Sequence, residues 1–172
     1  MAQAGVKITF KDNGLKDLFK NIKELGKLRA TVGYQGQEAT KTLKPGGPTT
    51  SAVARYNEFG TKDIPARAFM RRGTKDSGPA IAETAADEFA KVVTKGADPV
   101  AAMAEVGDVL AVGILAELET TTSWATPNAP STIKKKGPGL PPLDAGHQRL
   151  HKGLTWAVQE GRAVVKRGKP NG

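Results

Sequence analysis

The stretch DPVAAMAEVGDVLAVGILAELE, residues 98–119, decides how this chain folds. Asp98-Pro99 is a helix start: an aspartate can cap, and proline suits a first helical position. From there to about Glu119 no residue breaks the run. It is also the most apolar part of the chain, and Val100–Leu118 is long enough to raise the question of a membrane span. Glu105, Asp108 and Glu117 argue against that, because carboxylates at bilayer depth are costly. The alternative is a helix inside a water-soluble domain. Ala101, Ala102, Ala104, Gly107, Ala111, Gly113 and Ala116 then make sense as small residues over which a second helix, from this chain or a neighbouring one, can approach closely. The glycines cost helix propensity, and close packing is the compensation.

Working outward, a second long helix precedes this one. Pro79 opens it, Ile81, Ala85, Phe89 and Val92 form its apolar stripe, and Gly96 ends it. Nearer the N-terminus, Val6–Phe10 alternates like an edge strand. Asn13 can cap a helix over 15–25, where Leu15, Leu18, Phe19, Ile22 and Leu25 form one stripe and Gly26 is the stop. LRATVGY, 28–34, reads as a strand. Ser51 is placed to cap a short helix, 52–59, ended by Gly60 in a left-handed conformation. A short helix fits 146–154, and LTWAV (154–158) and RAVVK (162–166) read as a hairpin. Residues 35–50 and 120–142, rich in Gly, Pro and Thr, read as two long loops. The expected fold class is α+β: a single domain over residues 1–166, with a small, mostly antiparallel sheet packed against two long helices and shorter ones. Residues 167–172 are expected to be a flexible tail.

Composition fits a modest core with extended loops. Of 172 residues, 20 are Gly and 11 are Pro, and only 5% are aromatic. There is no cysteine, which excludes disulfides and thiolate metal sites. The opening MAQAGVKITFKDNG has no apolar core of signal-peptide length. The net charge is +9, unevenly placed. Residues 1–86 carry 15 basic and 8 acidic side chains, 87–130 carry 2 and 7, and 131–172 carry 9 and 2. An acidic middle between basic flanks fits a neighbouring copy, an acidic partner, DNA phosphates or plain solvation.

Catalytic patterns are missing. No serine sits in a G-x-S-x-G elbow, no G-x-x-x-x-G-K-[ST] loop is present, and no G-x-G-x-x-G follows a strand. His147 and His151 are four apart, with Asp144 nearby, but a third firm metal ligand is not evident. Asp87/Glu88 and Glu117/Glu119 sit on long helices, where solvent exposure is the usual reason. No enzyme activity, cofactor, metal or small-molecule substrate is expected. Lys134, Lys135 and Lys136 form a basic run that suits DNA, an acidic partner or a solvated loop, with no interleaved aromatic to stack on bases.

The densest pattern is ARYNEFGTKDIPARAFMRRG, 54–73. Tyr56 and Phe59 share one face of a short helix and Glu58 points elsewhere. After Gly60 the chain reverses, and Pro65 keeps it extended. Ile64 and Phe69 can enter apolar pockets, leaving Arg67, Arg71 and Arg72 to pair with carboxylates. Aromatic and arginine anchors beside a rigid turn are what interfaces use as hot spots. The same apolar residues can equally close the domain's own core.

These residues resemble the signature of the neck and tail-completion (head-tail joining) proteins of tailed bacteriophages, in which a helix ending E-F-G-T leads into I-P-A-R-x-F. A second block resembles the family too, in the right order: Trp124, Pro127, Ser131-Thr132, Lys134–Lys136, Pro142-Leu143, Asp144-Ala145-Gly146, then LTWAV. The family usually has Asp-Thr-Gly where Ala145 stands, and often Pro where Ala68 stands. The resemblance covers roughly 50–160. It implies a virion structural protein of the neck or tail region, assembled in the bacterial host cytoplasm as a homo-oligomeric ring, typically of six copies. Its implied partners are the portal- or connector-side head-completion protein, the tail terminator or tail tube protein, and viral DNA passing through the channel, with no membrane. Tyr56, Glu58, Phe59, Gly60, Ile64, Pro65, Arg67 and Phe69 are then expected to shape the joint, with Arg71 and Arg72 pairing between subunits. A tail terminator capping the tube, or a basic DNA-binding protein, are the alternatives.

Overall fold

A computed structural model describes residues 14–143 and 148–171. The predicted strand at Val6–Phe10, the Asn13 cap, and Asp144 through His147 lie outside these residues. The fold is α+β, as the periodicities predict. Helix α1 spans Leu15–Leu25, strand β1 Leu28–Gly33, α2 Gly36–Thr40, α3 Thr50–Phe59, α4 Phe69–Asp76, α5 Gly78–Lys95 and α6 Pro99–Glu119. Then follow α7 Thr121–Trp124, α8 Pro130–Lys136, α9 Arg149–Gly153, β2 Thr155–Glu160 and β3 Ala163–Gly168.

The sheet is antiparallel, in the order β1-β2-β3. Leu28 lies opposite Glu160 and Gly33 opposite Thr155, and a bulge between Val158 and Gln159 shifts the hairpin register. The central strand is the buried one: Thr155, Trp156, Ala157 and Val158 are all inside, with Leu154 buried just before it.

Helix α6 is the axis of the domain. It is long and apolar enough to cross a membrane, yet it packs against β1 and β2 on one side and α4 and α5 on the other. Asp98 caps it, accepting from the amides of Val100 and Ala101. Gly113 meets Gly73 and Ser77 at the end of α4, the close helix approach the sequence predicts and within the same chain, whereas Ala116 is exposed and Gly107 faces the sheet. Gly107 sits against Ala30 and the Trp156 side chain. At Gly73 of α4, a Cβ would lie 2.6 Å from the Ile114 Cα, so α4 crosses α6 backbone to backbone. Phe69, Ile114, Leu115, Leu118, Leu143, Leu150 and Leu154 fill the core around that crossing.

Several expectations need correction. The 35–50 loop contains α2, and its remainder is pinned: Thr42 bridges Thr49, and Arg149 of α9 donates to the carbonyls of Lys41 and Pro48 and to the Thr50 hydroxyl. The 120–142 loop contains α7 and α8. Short helices of this kind carry too few residues for a legible period. The cap of α3 is Thr49, whose hydroxyl accepts from the Ala52 amide, rather than Ser51. Gly60 has φ 76° but ψ 172°, so it ends α3 in an extended glycine conformation and not a left-handed helical one. The hairpin strands are longer than expected. β3 runs to Gly168, Lys169 accepts at its carbonyl from the Trp156 indole, and the Asn171 amide donates to Asp108, so the expected loose tail is tied down. The apolar stripe of α1 is largely exposed, with Leu15 at 58%, Phe19 at 61% and Ile22 at 46%.

Candidate functional site

The elbow between α3 and α4 is built by local chemistry first. The Thr61 amide donates to the Ile64 carbonyl, and the Thr61 hydroxyl accepts from the Asp63 and Ile64 amides. A Cβ on Gly60 would meet the Ala66 nitrogen at 2.9 Å, and its positive φ already disfavours a side chain. The Arg67 amide donates back to the Asn57 carbonyl at 2.6 Å. Ala68 then makes an inverse γ-turn, with the Phe69 amide on the Arg67 carbonyl, and α4 begins.

Helix α4 has no local cap at Ala68. Its cap comes from α3. Glu58, nearly fully buried, accepts from the Met70 amide at 2.9 Å and the Arg71 amide at 3.2 Å. A carboxylate facing a helix N-terminus satisfies two orphan donors and the helix dipole together. Arg71 completes the cluster. Its Nε donates to Glu58 Oε1 at 2.8 Å, its Nη2 to the Glu58 carbonyl at 2.9 Å, and its guanidinium lies 5.3 Å from the Phe59 ring centroid.

Arg67 is buried and points into the segment after α7. It donates to the carbonyls of Thr126 at 2.8 Å and Pro127 at 3.2 Å, and to Asn128 Oδ1 at 3.3 Å. Burial pushes its guanidinium below the ordinary arginine value, and these acceptors compensate the buried charge. Arg72 reaches Glu117 of α6 at 3.0 Å and stacks 4.6 Å from the Trp124 ring, whose indole donates to the Glu117 carbonyl. Phe69 is fully buried, edge-on to Tyr34.

The elbow residues therefore divide. Glu58, Arg67 and Phe69 are internal, Gly60 and Ile64 are half-buried, and Tyr56, Phe59, Pro65, Arg71 and Arg72 reach the surface. Arg71 and Arg72 each pair with a carboxylate, Glu58 and Glu117 of the same chain, whereas Arg67 meets two backbone carbonyls and an amide oxygen instead of a carboxylate. Glu117, expected to be a solvated carboxylate, is largely covered and paired. Sequence spacing gave no signal for the Arg72–Glu117–Trp124 group, because its members lie 45 and 52 positions away from Arg72. A shallow groove runs between Ile64, Pro65 and Arg67 on one wall and Asn128, Thr132 and Pro142 on the other. Lys134 and Lys135 are exposed on α8, which is helical where a loop was expected.

No three His, Asp or Glu side chains gather to hold a metal ion among the described residues. His151 Nε2 lies 3.3 Å from Glu119, and the other members of the candidate pair, Asp144 and His147, lie outside the described residues. What the elbow offers is rigid geometry with two aromatic rings and an arginine on its outer side. The chain is a single α+β domain. Compared with protein-family models, curated proteins and solved structures, it has no significant match.

Proposed function

We propose that this chain is a neck or tail-completion protein of a tailed bacteriophage, acting by assembly into a ring at the head-tail junction. The observation that carries this reading is the joining of the two sequence blocks that resemble that family. Arg67 of the first block holds Thr126, Pro127 and Asn128 of the second, and Arg72 of the first stacks on Trp124 of the second. That two blocks more than fifty residues apart in sequence meet in one structural unit supports this reading. The exposed Tyr56 and Phe59, with Arg71 over the Phe59 ring, supply the aromatic and arginine character of a contact surface. A ring uses a head-to-tail contact, in which different surfaces of each copy meet.

The test is a phage whose copy of this gene carries an early stop codon. Under this reading, infected cells accumulate DNA-filled heads and separate tails, and the wild-type chain supplied in trans restores joined particles. Normal tailed particles from the stop mutant would contradict it, as would loss of an enzymatic activity with assembly intact.

A further inference from the structure

Among the described residues, no other element covers the outer side of helix α1 around Phe19 and Ile22. Leu18, Asn21 and Leu25 turn inward, half-buried, and the Asn21 side-chain amide donates to the Val92 carbonyl of α5 at 3.0 Å. Phe19 and Ile22 turn outward, 61% and 46% exposed. At 100° per residue, Lys20 and Lys23 fall next to that outward stripe, both exposed, while Asp17 and Glu24 fall behind them. An apolar strip with a lysine rim calls for an apolar partner edged by carboxylates.

The same chain carries such a surface. The outer side of α5 exposes Ala82, Ala86 and Ala90 together with Glu83 and Asp87. Lys91 on that helix is engaged by Glu88, which raises its pKa. Glu83 and Asp87 make no ion pair among the described residues, although Asp87 lies near enough to Lys91 to add to that shift. Small alanines leave room for a ring and a branched side chain. Lys20 and Lys23 are separated by about 4.5 Å along their helix and Glu83 and Asp87 by about 6 Å, so both pairs can engage at once.

We infer that the Phe19–Ile22 face of α1 docks on the Ala86–Glu83–Asp87 face of α5 in a second copy of this chain. The inference rests on the reading that copies of this chain assemble with one another, and it names the surfaces by which they do so. Lysine-rimmed amphipathic helices also bind anionic lipid. The complementary acidic face on the same chain favours a second copy, and lipid is left as an outcome of the test.

The experiment is light scattering and sedimentation of the full chain across concentration, with circular dichroism to verify folding. Wild type is expected to self-associate, more weakly as salt rises. Phe19→Asp, the pair Lys20→Glu with Lys23→Glu, and the pair Glu83→Lys with Asp87→Lys are each expected to weaken association about a hundredfold while the fold is kept. Combining both charge reversals is expected to restore it. Association equal to wild type in the three variants, or failure of the combined reversal to rescue, overturns the inference and leaves the phage reading untouched. A wild type that stays monomeric at every concentration overturns it too, while the stop-codon phage still decides the function. Sedimentation with phosphatidylserine-containing vesicles that is lost on Phe19→Asp assigns the face to lipid and overturns it as well.

Discussion

Glu58, at the end of α3, caps α4 twelve residues later: its two carboxylate oxygens accept from the first-turn amides of Met70 and Arg71. The turn between the helices is therefore fixed at both ends, by Gly60 and by the cap. Replacing Glu58 by Ala leaves two amides without their acceptor and Arg71 without its ion pair. Urea denaturation is expected to show a loss of about 2–3 kcal/mol, and about 1 kcal/mol for Glu58→Gln, which keeps one acceptor oxygen. An unchanged midpoint for Glu58→Ala would show that the cap carries no weight.

Arg67 is the link between the two blocks. Arg67→Ala removes the three donors that hold 126–128, at an expected cost of about 1–3 kcal/mol. The more specific sign is local: limited proteolysis should cut within residues 125–140 before the rest of the chain unfolds. Arg67→Lys should recover little, since an ammonium lacks the planar fork that reaches three acceptors. Cleavage rates identical to wild type would refute the link.

Gly73 and Gly113 mark the close crossing of α4 over α6. A Cβ at Gly73 meets Ile114 backbone, and one at Gly113 runs into the Ser77 side chain. Gly73→Ala is expected to destabilise by about 1–3 kcal/mol despite the gain in helix propensity. Gly78→Ala, where nothing lies within 4 Å, is the control and is expected to be neutral or slightly stabilising. A stabilising Gly73→Ala would mean the helices are further apart.

Reversing Arg71 and Arg72 together to Glu would set like charges against Glu58 and Glu117. The expected result is a lower melting temperature, because both arginines bind within the chain. Lys134→Glu with Lys135→Glu changes exposed positions on α8 and should leave the melt unchanged. Equal melts for the two double variants would contradict this assignment.

Glu38 is held below the usual carboxylate value, first by the hydrogen bond from Lys41 and further by Lys169. Because the folded value is the lower one, the favourable contribution exists above the unfolded pKa and is lost as pH falls through the folded pKa. The Glu38 side chain is half-buried, but both lysine partners stand largely in solvent, so the effect on global stability is small. NMR titration is the sensitive readout: Lys169→Ala is expected to raise the Glu38 midpoint, and no movement would exclude the Lys169 contact.

Elements with a local code were legible in the sequence. Helix α1 stands at its predicted bounds, α6 starts at its Asp98-Pro99 cap, and Gly96 closes α5 in the left-handed conformation. Helix α4 was not legible, because its cap lies on another helix and Gly73 interrupts its propensity. The elbow was legible as a special turn, since Gly60 and Pro65 dictate it. The roles of its arginines were not. Arg67, Arg71 and Arg72 all read as surface cations, and only tertiary placement of Thr126, Glu58 and Glu117 turns each one inward or back on the chain. The face of α1 shows the converse. Its periodicity was correct, but periodicity alone does not tell whether an apolar stripe meets its own core or another surface.

The most direct test of the proposed function is the position of this chain in intact phage particles, by electron microscopy with an antibody or fused label. The account predicts density at the junction of head and tail, encircling the channel axis. Label absent from the mature particles, or spread along the capsid, would contradict it.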